Sequence, residues 1–76
     1  MNFIRFTITG SIDGTNGYDG NAVFTLDQTP DILGLFKNGV LQIPDVSYTL
    51  SGATPTFLAP NIPIVGDTLQ ALGTIA

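Results

Sequence analysis

The chain has no cysteine, histidine, tryptophan or glutamate, and its only basic residues are Arg5 and Lys37. Each absence closes a class of function. Without cysteine no disulfide can staple the chain, and without cysteine or histidine a zinc site lacks its usual ligands. Without histidine, cysteine or glutamate there is no base for a catalytic triad and no ligand set for a metal-bound water. Two cations cannot release enough counterions to hold a nucleic-acid backbone, nor do they form a patch for an anionic membrane. The expectation is a non-enzymatic protein with no cofactor, no nucleic-acid partner and no membrane association.

What remains is aspartate, glycine and apolar residues. All the acidic residues are Asp (13, 19, 27, 31, 45 and 67), and the net charge is -4. Each sits in a turn-like stretch, where Asp bonds its own backbone. Two of them serving as acid and base is therefore the weaker reading.

The length of 76 residues reads as one β domain spanning 1–76. That is near the lower limit for a self-sufficient core, because such a domain buries only about 60% of the surface its unfolded chain exposes. Charged residues are 11% of the chain and apolar ones 43%, against about 25% charged in ordinary domains. A small chain with no covalent or metal staple and few surface charges is expected to bury surface against neighbours, as a homo-oligomer or in a multi-copy assembly. A lone, compact β domain of the secreted type is the alternative.

No stretch reads as a membrane span. Val46 to Gly66 is uncharged and long enough, but Pro55, Pro60 and Pro63 interrupt it. The start, MNFIRFTITGSID, lacks a charged region followed by an unbroken apolar run.

The apolar pattern is that of strands. Ile4, Phe6 and Ile8 alternate with Arg5, Thr7 and Thr9, the period of a half-buried strand. Residues 10 to 21, GSIDGTNGYDGN, form a glycine-rich loop. Ala22, Phe24 and Leu26 mark a second strand, which Gln28-Thr29-Pro30 ends. Ile32 to Lys37 is nearly all apolar and is expected to be a strand buried on both faces. Asn38-Gly39 is the pair best suited to a type I′ turn, and it predicts Lys37 opposite Val40, Phe36 opposite Leu41 and Leu35 opposite Gln42.

Val46, Tyr48 and Leu50 are expected on one face of the next strand, and Ser51-Gly52 turns it back through Ala53 to Leu58. Pro55 places that return strand at an edge, or turns its missing donor outward. Asp67 to Ile75 is the last strand. No helical period appears. The fold expected is all-β, a small immunoglobulin-like β-sandwich of six to seven short antiparallel strands, with a partly open β-barrel as the alternative.

The loop from Asp13 to Asn21 is rich in oxygen but fails the calcium-loop spacing: Thr15, Gly17 and Tyr18 stand at its third, fifth and sixth positions. No metal is expected there, and stability is expected to be the same in chelator and in calcium. The candidate partner contacts are Phe3, Tyr18, Leu72 and Ile75. Asn38, Gly39 and Gly52 are the turn-critical residues. A strand-like chain end is a template for pairing. Phe3 to Thr9 or Asp67 to Ile75 is therefore expected at an inter-subunit contact, and loss of Leu72 to Ala76 is expected to weaken assembly more than folding.

An ordered set of short motifs adds to this. Asp19-Gly20-Asn21-Ala22-Val23-Phe24-Thr25-Leu26 with Pro30 comes first, then Leu35-Phe36-Lys37-Asn38-Gly39-Val40-Leu41-Gln42. Tyr48-Thr49-Leu50-Ser51-Gly52 and Gly66-Asp67-Thr68-Leu69 follow. The set resembles a small β-rich module of tailed-phage virion proteins, found in heads, tails and fibres, and covers about three quarters of the chain. Ser47 stands where the module carries Asp, and Pro55 where it carries an apolar strand residue. The resemblance implies a bacteriophage virion structural subunit, made in the host cytoplasm and assembled with other capsid or tail proteins. With an initial Met and one module's length, the chain reads as a stand-alone capsid decoration or cement protein, or a head- or tail-associated one. A carbohydrate- or receptor-binding adhesion module of a tail fibre is the alternative. No active site is implied.

Overall fold

The computed structural model describes residues 3–76, and its secondary structure is all-β. Eight short strands are present: β1 (Ile4–Phe6), β2 (Ile8–Thr9), β3 (Thr25–Leu26), β4 (Pro30–Lys37), β5 (Val40–Leu41), β6 (Tyr48–Ser51), β7 (Thr54–Phe57) and β8 (Leu69–Ile75). The number exceeds the six or seven expected, in part because the first alternating run divides. β1 pairs with β8, whereas β2 pairs with β3. The break falls at Thr7, whose N–H donates to Asp27 Oδ1 at 3.0 Å while its carbonyl accepts from Asp27 N–H at 3.1 Å.

Two antiparallel layers result. One is a four-stranded sheet in the order β1-β8-β4-β5. The other joins two ribbons, β2-β3 and β6-β7, through backbone bonds from Phe24 N–H to Pro55 O and from Phe57 N–H to Ala22 O. The second layer thus runs β2-β3-β7-β6. This is the order of strands A, B, E and D in an immunoglobulin-type sandwich, and β4 and β8 stand where C and F do. The position of the last strand, G, is filled by β1. Among the described residues no barrel closes.

The buried residues lie between the layers. Phe6, Leu35 and Ala71 come from the four-stranded sheet, Phe24, Leu26, Tyr48 and Phe57 from the other, and Ile62 from the connection to β8. Phe24 meets Phe57 edge to face, with ring centroids 5.7 Å apart, the arrangement that aromatic quadrupoles favour. The alternation of Phe6, Phe24 and Leu26 with exposed neighbours follows the sequence pattern closely.

The Asn38-Gly39 hairpin has the expected register. Lys37 pairs with Val40 and Phe36 with Leu41, and Gln42 N–H donates to Leu35 O at 2.8 Å. Both turn residues have positive φ, 54° at Asn38 and 80° at Gly39. Gly52 turns the β6-β7 hairpin with φ 58°. A Cβ on Gly39 would touch nothing within 4 Å, so the cost of replacing it is purely conformational. Gly39→Val should therefore lose about 1–2 kcal/mol, more than an ordinary surface change. Chemical denaturation reads it, and an unchanged midpoint would contradict the turn assignment.

Four expectations need correction. β4 is not buried on both faces: Leu35 is buried, but Ile32 is 45% exposed. An all-apolar run cannot distinguish a covered face from an uncovered one. Val46 is not on a strand face, because Asp45 to Ser47 forms a turn, with Asp45 at φ 65°. Of the predicted trio only Tyr48 is buried.

Pro55 is neither at an edge nor turned outward. It is buried, with β6 on one side and residues 22–26 on the other. Its carbonyl accepts from Phe24 N–H, but its ring replaces the reciprocal donor, so the ribbon loses one bond at this pair. Finally, β8 is not an unpaired end. It is paired with β1 on one side and β4 on the other.

Candidate interaction surface

The outer face of the β1-β8-β4-β5 sheet is where the uncovered apolar residues gather. Side chains alternate along a strand. With Leu33 and Leu35 turned toward the other layer, Ile32, Gly34 and Phe36 point outward. The register places Leu72 beside Gly34, Arg5 beside Leu72, and Leu41 beside Phe36. The result is a groove of about 740 Å³ lined by Phe3, Ile32, Phe36, Leu41 and Leu72, among others.

Gly34 forms the floor. A Cβ there would stand 3.3 Å from the Phe36 ring and 3.6 Å from Leu72 O, so the aromatic ring folds over the glycine and narrows the groove. At the β4 bulge near Asp31, Ile32 N–H donates to Thr74 Oγ1 at 3.2 Å, which ties the groove's end to the central strand. Among the described residues, Arg5 is the only charged side chain lining the groove.

Of the predicted contacts, Phe3 (70% exposed) and Leu72 (36% exposed) come together here. Ile75 is exposed on the same strand but lies beyond the groove, paired with Pro30. Tyr18, 67% exposed, belongs to the glycine-rich loop and not to this face. Ile32, Phe36 and Leu41 were missed as surface residues. The hairpin register had already put Leu41 against Phe36, and the glycine between Ile32 and Phe36 was the signal of a close approach on this face, made by the Phe36 ring.

The loops at the end of the sandwich are internally braced. Asp19 accepts hydrogen bonds from Thr15 Oγ1 and Thr15 N–H, both at 2.6 Å, and from Asn16 N–H. Asn16 Oδ1 accepts from Tyr18 N–H and Asp19 N–H, and Asp13 Oδ1 from Asn21 N–H. Asp67 accepts from Ile64 N–H at 2.9 Å and from Asn38 Nδ2 at 2.8 Å. These carboxylates serve as acceptors for the loops' own donors. Among the described residues, no group of three or more Asp, Glu, His or Cys side chains is placed to hold a metal ion. Asn38, expected only as a turn residue, thus also joins its hairpin to the loop before β8, which sequence spacing does not reveal.

The same bonds set the response to acid. Thr15 hydroxyl and backbone donors hold the Asp19 carboxyl below its ordinary 3.8, and Ile64 N–H, Asn38 and nearby Lys37 do the same for Asp67. The unfolded chain therefore takes up protons first as pH falls. The stabilisation is complete above about pH 4 and is lost as pH drops through the lower, folded values. Melting temperature should hold from neutrality to about pH 5 and fall below about pH 4. A melting series across this range checks it, and a rise on acidification below that point would contradict it.

Compared with known protein families, curated proteins and solved structures, the chain matches none.

Proposed function

We propose that the protein is a non-enzymatic structural subunit of a bacteriophage virion, a capsid decoration or cement protein or a head- or tail-associated one, and that it works by protein–protein assembly. The observation that carries the assembly role is the apolar outer face of the four-stranded sheet. Isolated exposed apolar residues are ordinary, but a contiguous set that joins three neighbouring strands marks a contact surface. The tailed-phage resemblance of the hairpin and strand motifs supplies the setting.

The face also defines the partner's chemistry. It offers apolar side chains around one cation, Arg5, and among the described residues the groove lining holds no carboxylate. Two copies laid face to face would leave both guanidinium groups without an acid across the contact. A capsid or tail protein surface with apolar side chains beside an Asp or Glu fits better. Many copies are then arrayed on the particle through that partner.

Quantitative mass spectrometry of purified particles of the phage that encodes the chain tests the role. The expected result is a copy number in the hundreds for a decoration protein. Absence from the particle would overturn the proposal. A handful of copies, confined to the fibre, would favour the adhesion module, for which the exposed Tyr18 ring on its braced loop is the supporting feature. Co-sedimentation with particles stripped of this protein then tests the face. Leu72→Asp and Arg5→Glu should each lose binding while melting near the wild-type temperature.

A further inference from the structure

The chain contains two Asn-Gly pairs, Asn16-Gly17 and Asn38-Gly39. Glycine after asparagine leaves the following amide nitrogen unshielded, so the pair can close on itself when the backbone is free to rearrange. The asparagines of both pairs line one cleft with Asp67, but the pairs differ in how their glycines are packed. Gly17 is buried, its carbonyl accepts from Ile62 N–H at 3.2 Å, and a Cβ there would overlap Pro60 O. The Asn16 carbonyl oxygen is held by two backbone donors, Tyr18 N–H at 2.9 Å and Asp19 N–H at 3.0 Å. Gly39 is exposed, with nothing within 4 Å of the position a Cβ would take. The Asn38 side chain is held at its tip alone: Nδ2 donates to Asp67 Oδ1 at 2.8 Å, and Oδ1 accepts from Thr68 N–H at 2.8 Å.

We propose that Asn38-Gly39 is a spontaneous deamidation site, latched by Asp67, and that Asn16-Gly17 is not. The backbone nitrogen of Gly39 attacks Asn38 Cγ and gives its proton to solvent. The Cγ–Nδ2 bond breaks and ammonia leaves, forming a five-membered imide. Water then opens the imide at Cγ to give aspartate, or at the main-chain carbonyl to give isoaspartate. Overall, an amide and a water become a carboxylate and an ammonium ion.

The latch opposes the first step in two ways. Asp67 and Thr68 hold Cγ in place, and a carboxylate accepting from Nδ2 makes ammonia a poorer leaving group. Once the step has occurred the bond to Asp67 cannot reform. The donor that faced Asp67 Oδ1 has become a like-charged oxygen, and isoaspartate adds a backbone atom to a tight turn. The product therefore loses the side-chain tie between the hairpin and Asp67, leaving the backbone bond from Asn38 N–H to Thr68 O at 2.8 Å, and an aged chain differs from a new one at this end of the sandwich.

Peptide mapping by mass spectrometry, on purified chain held in mildly alkaline buffer, tests this. In the wild type, conversion at Asn38 should outpace conversion at Asn16. Asp67→Ala should speed conversion at Asn38 several-fold while Asn16, an internal reporter of folding, keeps its rate. Faster conversion at Asn16, or an unchanged Asn38 rate in Asp67→Ala, would overturn the proposal. Should Asp67→Ala unfold the chain and raise both rates together, the wild type in urea decides. There the two rates must converge, and a ratio unaffected by urea would show that the fold does not select the site.

Discussion

A chain truncated after Ala71 should not fold. Far-ultraviolet circular dichroism should show no sheet, and amide proton shifts should collapse into the random-coil range. The deletion was expected from sequence to loosen assembly more than folding, on the view that the last strand was an unpaired end. In the structure Leu72 to Ile75 is the central part of a four-stranded sheet. Leu72 pairs with Gly34 and Arg5, Gly73 with Leu33 and Ile4, Thr74 with Ile32, and Ile75 with Pro30. Removing this segment leaves β1 without a partner for two of its three residues and frees half of β4. A chain of this length has about 4–11 kcal/mol of stability in all, too little to absorb the loss of its central ladder. A folded, cooperatively melting truncated chain would refute this topology.

Gly73→Val should abolish folding by a different route, and Gly73→Ala should come close. Gly73 is buried in β8, where the β4 bulge brings the Ile32 carbonyl across it. A Cβ at Gly73 would overlap that oxygen and crowd the Leu33 backbone. The obstacle is main chain on a paired strand, so no rotamer change relieves it, and β4 must move away from β8. Overpacking costs about 1–3 kcal/mol where side chains can shift. Displacing a paired backbone should exceed that range. At about 4–8 °C per kcal/mol for a domain of this size, Gly73→Ala should melt at least about 12 °C below the wild type. A fall of only a few degrees would mean that β4 and β8 do not approach as described. Gly34→Ala is the control, since its Cβ would meet the movable Phe36 ring.

Much of the local structure was legible because it depends on neighbours in sequence. Asn38-Gly39 sets its own φ values, and a two-residue turn leaves one register for Phe36 and Leu41. Alternation at Ile4, Phe6 and Ile8, and at Phe24 and Leu26, identifies the inward face because a strand's side chains repeat every second residue. The glycine-rich loop at 10–21 was legible for the same reason, and its Asp and Asn side chains do cap their own backbone.

The candidate surface was only partly legible. Phe3 stood out as an apolar residue on a polar face, and Leu72 as an apolar residue alternating out of phase with its strand. Ile32 and Phe36 could not be told from core residues, because Ile32 to Phe36 has no polar partner face to break the pattern. Whether such a strand is covered depends on what packs against it.

The all-β class, the turns at Asn38-Gly39 and Gly52, the inward residues of the first two alternating runs and the absence of thiol, imidazole and basic-patch chemistry were legible in the chain. Those follow from residue types and their spacing over a few positions. That the first run crosses between layers at Thr7, that Pro55 sits inside a layer and that β8 lies between β1 and β4 emerged only with the folded chain. It alone also decided that one sheet face is left bare. The physical reason is that backbone hydrogen bonds between strands carry no sequence label. Any strand edge offers the same donors and acceptors, so the partner is chosen by the whole chain's burial of Phe6, Phe24, Leu35, Tyr48 and Phe57 at once.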